Sequence, residues 1–379
     1  MTMLNLYGLD RAGLEALFVE HGLQRFRGRQ LMKWVYHMGQ TDFQQMTDLP
    51  QTMRNWLTEH ACFELPDVVE RFESVDGTCK WLIEVGPDNL VETVLIPDRG
   101  RNTLCVSSQV GCMLDCRFCS TGKQGFNGNL TTAQIVGQVL IANAWLAQRN
   151  ESVTNIVLMG MGEPLLNFDE VIRAVHIMMD DLAFGLSKRR VTVSTAGVVP
   201  GIDKLAEATD CALAISLHAP TDPLRDVLVP INRKYNIAML MDACERYVDH
   251  LGKRRKLVIE YTLMRGVNDQ LEHARALATL LRPLRCKINL IPFNPFPGTD
   301  YERPSDRDIY RFQTELMNSG YTTMLRTTRG EDIDAACGQL VGQVQDRTRR
   351  QSRYAQRKAE TGFVNGAQSP DGRIDAVQV

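Results

Sequence analysis

The sequence predicts an α/β fold, a barrel or partial barrel of parallel strands entered through a small helical unit. Two observations carry this. From about residue 98 to 330, seven short β-rich runs alternate with longer amphipathic helical patterns, the signature of parallel strands joined by crossover helices. Residues 1–95 have a different texture, opening on helical patterns alone. The 379-residue length fits two or three domains at about 150 residues each.

In chain order, residues 10–21 place Leu14, Leu17 and Phe18 on one helical face, and residues 27–38 do the same with Leu31, Met32, Trp34, Val35 and Met38. Turns at Asp42-Phe43 and Asp48-Leu49-Pro50 lead to a third helix over about 51–60. A strand-like stretch from Val68 to Val85 is broken by the Asp76-Gly77 turn, and Lys80–Glu84 with Val91–Ile96 reads as a hairpin around Gly86-Pro87-Asp88-Asn89. The strand candidates that follow are Thr103–Ser107, Asn155–Met159, Arg190–Ser194, Ala212–Leu217, Lys256–Leu263, Lys287–Ile291 and Thr322–Arg326. Between them lie helical stretches at Thr131–Gln148 (capped by Thr131 or Thr132), Phe168–Asp180, Pro200–Glu207, Ile237–Leu251, Leu271–Leu281 and Ser305–Asn318. Six or seven strand–helix units favour a barrel over a short open sheet, although spacing alone does not separate the two. Residues 346–358 hold five Arg and one Lys against one Asp, and residues 361–379 are polar and Gly-rich, a composition that predicts a disordered tail.

Hydrophobic residues at 44% and charged residues at 23% are ordinary for a globular protein and exclude disorder as a description of the whole chain. No run reaches the roughly 18 uncharged apolar residues of a membrane span. The start, Met1 to Leu6, lacks the basic and apolar regions of a secretory signal, so the expectation is a cytoplasmic protein. A net charge of −2 leaves any nucleic-acid contact to local basic patches.

Ten cysteines are too few for a disulfide scaffold, and clustered cysteines in a reducing compartment point to metal or catalysis. Cys112, Cys116 and Cys119 form a C-x₃-C-x₂-C group directly after the first strand candidate of the barrel region. Structural zinc wants four protein ligands, and no fourth Cys or His stands at finger spacing. A [4Fe–4S] cluster held by three thiolates leaves one iron open. S-adenosylmethionine (SAM) suits that iron through its amino and carboxylate groups, and an electron from the cluster then cleaves its sulfonium to release a 5′-deoxyadenosyl radical.

With Phe118 before the last cysteine, this group resembles the radical-SAM superfamily motif. Met159-Gly160-Met161-Gly162-Glu163-Pro164 resembles the family's Gly-Gly-Glu element, which implies that Gly162 and Glu163 hold the SAM amino group. Ser194, Ser216-Leu217-His218 and Asn294 each end a strand candidate, where barrel active sites form, and complete the expected cofactor contacts. The resemblance implies a partial (βα)₆ TIM-like barrel over 98–330 with residues 1–95 as a helical accessory domain that docks RNA.

A narrower resemblance, to the RlmN subgroup of dual-specificity RNA methyltransferases, runs from about residue 5 to 350. It is carried by Leu104-Cys105-Val106-Ser107-Ser108-Gln109-Val110-Gly111-Cys112, by Gly160 to Asn167, and by Asp332-Ile333-Asp334-Ala335-Ala336-Cys337-Gly338-Gln339-Leu340. It implies methylation of carbon 2 of adenine in 23S rRNA and in the anticodon loop of tRNA, using two SAM molecules. Cys337, in the segment 331–360, takes the role of the methylated cysteine. Cys105 becomes the resolving thiol that leaves a disulfide with it, and Glu92 the acceptor of the carbon-2 proton. An electron donor such as flavodoxin and a monomeric chain are implied as well.

Three basic segments, Lys188-Arg189-Arg190, Lys253–Lys256 and Arg347–Lys358, and the Arg25, Arg27, Arg29, Lys33 group with Phe26 and Trp34 interleaved, are candidate phosphate contacts or plain solvated surface. A target adenine must be unpaired to enter a barrel mouth. The alternatives are the sister subgroup that methylates carbon 8, which shares these cysteines, and a non-catalytic Fe–S RNA-binding protein. Pro164 and the Pro292-Phe293-Asn294-Pro295 run favour the carbon-2 subgroup.

Overall fold

The computed structural model describes residues 3–344, 346–350 and 352; the predicted disordered tail lies outside them. In chain order the N-terminal part contains β1 (Leu4–Asn5), α1 (Arg11–Glu20), α2 (Phe26–Tyr36), α3 (Gln51–His60) and β2 (Ala61–Cys62). Phe18, Leu31 and Leu57 bury the helices' apolar faces, as the helical spacing selects, and Met46 from the intervening turn joins them.

A ten-stranded sheet follows. β3 (Val68–Glu73), β4 (Cys79–Gly86), β5 (Asn89–Asp98) and β6 (Arg101–Cys105) are antiparallel neighbours. The hairpin strands grouped in the sequence with the helical unit thus run on into the strand that feeds the cysteine loop. That loop is framed by β7 (Gln109–Gly111), α4 (Ser120–Lys123) and β8 (Phe126–Asn129). The parallel part then proceeds as α5 (Thr132–Ala147), β9 (Asn155–Leu158), α6 (Phe168–Met179), β10 (Val191–Thr195), α7 (Val199–Ala208), β11 (Ala212–Ser216), α8 (Asp222–Leu228), α9 (Ile237–Leu251), β12 (Leu257–Leu263), α10 (Leu271–Leu280), β13 (Cys286–Pro292), α11 (Asp306–Asn318) and β14 (Thr323–Leu325). The strand order is sequential from β14 back through β9 to β6 and on to β3, without closure of β14 onto β3. This is the partial α/β barrel that the alternation predicts.

The strands read as they do because one face is packed by the crossover helices. Ile156, Leu158, Val191, Val193, Leu213, Ile215, Leu257, Ile259, Ile288 and Leu290 are fully buried alternating positions. On the other face Thr192, Ser194, Ser216, Glu260 and Asn289 stand beside small or apolar residues such as Val157, Ala214 and Val258, and register aligns Ser216 with Glu260 and Glu260 with Asn289. Burial by helices on one face therefore forces the chemistry onto the other. At the start of α5, Thr131 accepts from the Gln134 amide and the Gln134 side chain answers the Thr131 N–H, a capping box that fixes where the crossover begins.

Candidate active site

The cysteine loop leaves β7 through Gly111, whose φ of +73° glycine adopts without cost, and the Cys112 N–H donates to Gly125 O at 2.7 Å. Cys112, Cys116 and Cys119 are half-buried. Burial pushes all three thiols up, and Cys112 and Cys116 are pushed further by neighbouring cysteines of the loop and by Glu163. Among the described residues no three metal-ligating side chains are already drawn to chelating distance. Three crowded thiols whose ionised forms repel one another are nevertheless a donor set that a cationic centre relieves. These residues fit a cluster bound by three thiolates.

The loop is held from outside by a residue far along the chain. Arg350 donates through Nη1 to the carbonyls of Cys112 (3.0 Å), Leu114 (2.9 Å) and Gly122 (2.6 Å), and through Nη2 to Met113 O (2.8 Å). On its inner side Phe118 stands edge-on to His218, ring centroids 4.3 Å apart.

Glu163 lies beside this loop at the end of β9. Gly162 before it has φ +107°, and a Cβ there would meet Gln109 N at 2.8 Å, so only glycine allows the close pass. The Glu163 carboxylate accepts from Leu165 N at 3.1 Å and Ala196 N at 2.8 Å, and burial pushes its pKa up to about 7. A buried carboxyl at that balance point is stabilised as the anion by an ammonium partner.

The other predicted cofactor residues fall around the same rim with distinct partners. Ser194 reaches Glu260. The carbonyls of Ser216 and Leu217 both accept from Arg225, a fully buried guanidinium that also donates to Ala196 O at 2.6 Å and to Asn232 Oδ1 at 2.9 Å. His218 adopts a left-handed backbone, φ +58°. Its Nδ1 accepts from Thr262 N at 3.0 Å, and burial drives its pKa down to about 3, keeping it neutral. Asn294 donates to Cys337 O at 3.2 Å and accepts from Thr328, so it ties the cofactor rim to the Cys337 segment.

That segment is clasped along its length. Asp76 in the β3–β4 turn accepts from Gly330 N at 3.0 Å, and Ser74 donates to Asp332 at 2.6 Å. Ser120 N donates to Gly338 O at 2.8 Å, and Thr121 to Leu340 O at 2.9 Å. The clasp sets Cys337 against the cysteine loop and within electrostatic reach of Cys105. Both are free thiols. Cys105 ends β6 and is buried, which with the nearby Cys337 pushes its thiol up to about 12. Glu92, on β5, accepts from Val341 N at 2.8 Å through one oxygen and pairs with Lys80 at 2.9 Å through the other. Cys337, Cys105, Glu92, Glu163 and the three loop cysteines thus share one end of the barrel.

Lys80, Glu260, Arg326, Arg225 and Arg350 were not singled out from the sequence. Arg326 carries a visible signal, standing at the end of the last strand candidate; Arg350 sits in a basic run that reads as solvated surface, and Lys80, Arg225 and Glu260 have no local pattern that marks them. Two of the basic segments fall elsewhere. Lys188–Arg190 and Lys253–Lys256 precede β10 and β12, at the strand ends opposite the site; Lys188 pairs with Asp210, and Arg255 is buried and donates to Lys188 O.

A three-cysteine loop after the first parallel strand of a partial α/β barrel defines a radical-SAM enzyme, and residues 106–278 match the Radical SAM superfamily. Its cofactors are accordingly a [4Fe–4S] cluster and SAM. Residues 4–63 match the ribosomal RNA large subunit methyltransferase N-terminal domain. The chain is 57% identical over 359 residues to the dual-specificity RNA methyltransferase RlmN of Marinobacter nauticus, covering 93% of this chain and 96% of that protein. It is 57% identical over 354 residues to RlmN of Pseudomonas fluorescens, covering 92% and 93%. A crystal structure of a radical SAM methyltransferase from Sphaerobacter thermophilus superposes with a TM-score of 0.82 at 43% identity, covering 89% of this chain and 99% of that one. The chain belongs to the RlmN family of dual-specificity RNA methyltransferases. Among the described residues no helix is long and apolar enough to cross a membrane.

Proposed function

We propose that this enzyme methylates carbon 2 of an adenine in 23S rRNA and of the adenine beside the anticodon in tRNA, with Cys337, Cys105 and Glu92 as its working residues. The observation that carries the reading is the meeting of Cys105 and Cys337. They lie 232 positions apart in the sequence, yet Cys337 comes within electrostatic reach of both Cys105 and Cys119 of the cysteine loop. Carbon 2 of adenine is electrophilic and does not attack a sulfonium methyl, so the methyl must first be carried by a nucleophile. A thiolate is suited to this, and Cys337 is the half-exposed one of the pair.

Cys112, Cys116 and Cys119 would hold the cluster, and Gly162, Glu163, Ser194, Ser216, Leu217, His218 and Asn294 would surround SAM. When bound, these cofactors supply a low-potential electron and a carbon-centred radical that takes hydrogen from a methyl group. Glu92, its carboxylate held by Lys80, takes the carbon-2 proton from the adduct. Cys105 would then attack the Cys337 sulfur: the S–S bond forms as the bond from that sulfur to the transferred carbon breaks. That bond's electron pair stays on the carbon, which takes up a proton to become the methyl group, and the unpaired electron left on the adduct by the radical step would return to the redox cofactor. Residues 1–95 would dock RNA, 98–330 form the catalytic barrel, and 331–360 present Cys337. The two basic segments at the opposite strand ends are poorly placed to guide a base into this mouth. A flavodoxin-type electron donor, a monomeric chain and a cytoplasmic location complete the reading.

The test is anaerobic reconstitution followed by incubation with methyl-labelled SAM, reductant and under-methylated rRNA or tRNA, then mass spectrometry of the nucleosides. 2-Methyladenosine is the expected product. 8-Methyladenosine, or cleavage of SAM with unmodified RNA, overturns the assignment.

A further inference from the structure

Beyond the three residues given roles above, one half-buried cation stands beside two of them, Cys337 and Cys105. Arg326 follows β14, its backbone N–H pinned to Leu290 O of β13 at 2.8 Å. Its guanidinium donates through Nη2 to Cys337 Sγ at 3.7 Å. Cys105 at the end of β6 and Glu260 on β12 lie within electrostatic reach of the same guanidinium. Glu260 is itself fixed by Asn289 and Ser194. Three strands of the barrel and the Cys337 segment therefore converge on one cation.

We propose that Arg326 is a positioning residue that holds the Cys337 sulfur beside Cys105 for methyl transfer. The inference rests on the methyl-accepting role proposed for Cys337. In that step an electron pair on the Cys337 thiolate forms the new S–CH₃ bond as the C–S bond of the SAM sulfonium breaks. That bond's electron pair stays on the departing sulfur, which leaves neutral, and the thiol proton goes to solvent. The reactive species is the thiolate, and an adjacent guanidinium is the means by which proteins favour it. The groups facing Cys337 act in opposite senses. Cys105 and Cys119, from β6 and the cysteine loop, face it with further thiols, and Arg326 faces it with a positive charge. Glu260, facing Arg326 from β12, partly offsets the cation. Arg326, together with a backbone hydrogen bond at Met159, also opposes the effect of burial on the Cys105 thiol, so the same charge serves the later attack that releases the product.

The experiment is single-turnover methylation of Cys337 in the reconstituted full chain, with labelled SAM and no reductant, on protein whose Cys337 is unmethylated by intact mass. Label on the Cys337 peptide is followed from about pH 6 to about pH 10, spanning the thiol range. Arg326→Gln should move the inflection upward by about one pH unit or more, a loss of about tenfold in rate at a pH below it, with the alkaline plateau within about twofold of wild type. Arg326→Lys should restore the inflection, and Glu260→Gln should move it downward. A rate that falls equally at every pH in Arg326→Gln, with the inflection unmoved, reduces Arg326 to packing and overturns the inference. If Arg326→Gln does not fold, Glu260→Gln decides, and an unmoved or raised inflection there overturns it. Wild-type protein that takes no label on Cys337 at any pH has a different signature; it removes the proposed function and this inference with it.

Discussion

Lys80 Nζ lies 2.9 Å from a carboxylate oxygen of Glu92, with both side chains buried on neighbouring strands of the sheet. Burial raises the Glu92 pKa and Lys80 opposes that rise. A carboxyl whose folded pKa is raised makes the folded state bind more protons than the unfolded chain, so its contribution to stability falls as pH rises through that pKa. Lys80→Met leaves the carboxylate unpaired and widens this window. The expected loss is about 3–5 kcal/mol at alkaline pH, much less near pH 5, with recovery in Lys80→Met/Glu92→Gln. Urea unfolding of the three proteins at two pH values checks it. A loss that does not change with pH would show that Lys80 acts through its packing against Phe72.

How much of this was legible in the sequence follows from where each partner sits. Cys112, Cys116, Cys119 and Glu163 declare themselves because their chemistry is local: three thiols on one loop, one carboxyl after one glycine turn. Strands and crossover helices were legible because burial on one face imposes periodicity. Lys80 is not, since an alternating lysine looks the same in solvent as in a barrel, and Arg326 shows only its place at a strand end, not its partners. Arg350 was read as part of a basic run, yet its acceptors lie between 228 and 238 positions away. The hairpin reads as a hairpin from its sequence, but its antiparallel pairing onto β6 depends on a strand edge that no local pattern reveals.

Arg350 bonds four carbonyls of the cysteine loop. Hydrogen bonds from a charged donor are each worth about 1.5–3 kcal/mol, so its removal should loosen the loop far more than it loosens the fold. Arg350→Ala should release iron to a chelator at least about tenfold faster than wild type, equivalent to about 1.4 kcal/mol, with little change in the unfolding midpoint of the cluster-free protein. Arg350→Lys, which reaches fewer carbonyls, should be intermediate. Equal release rates in all three proteins would mean that the loop holds its shape without the clasp.

His218 is kept neutral by burial, with its pKa down to about 3 against an ordinary 6.5. Between those values the unfolded chain binds a proton that the folded protein does not, so stability rises with pH and falls on acidification. The expected slope from this residue is roughly 1.4 kcal/mol per pH unit in the window from about 6.5 downward. His218→Asn keeps an acceptor for Thr262 N and tolerates the left-handed backbone, yet cannot titrate. Denaturant unfolding of the cluster-free proteins at about pH 5.5 and pH 7 should show the slope reduced in the variant. Parallel slopes in the two proteins would assign the acid sensitivity to other groups.

The division of labour between the two thiols gives the most direct prediction. If Cys337 carries the methyl and Cys105 resolves the adduct, then Cys105→Ala must stop the reaction after the carbon–carbon bond has formed, leaving RNA covalently attached through Cys337. Cys337→Ala never acquires a methyl and must leave no attached RNA. Nuclease digestion and peptide mass spectrometry distinguish the two, with a mass increase of one modified nucleotide expected on the Cys337 peptide of Cys105→Ala alone. Equal loss of activity with no adduct in either variant would sink the assignment. An adduct on Cys105 in the Cys337→Ala protein would exchange the roles, contrary to the geometry. Cys105 is buried at a strand end, whereas Cys337 is half-buried on a segment clasped to the barrel mouth. The thiol that meets an incoming base must be the one the fold presents.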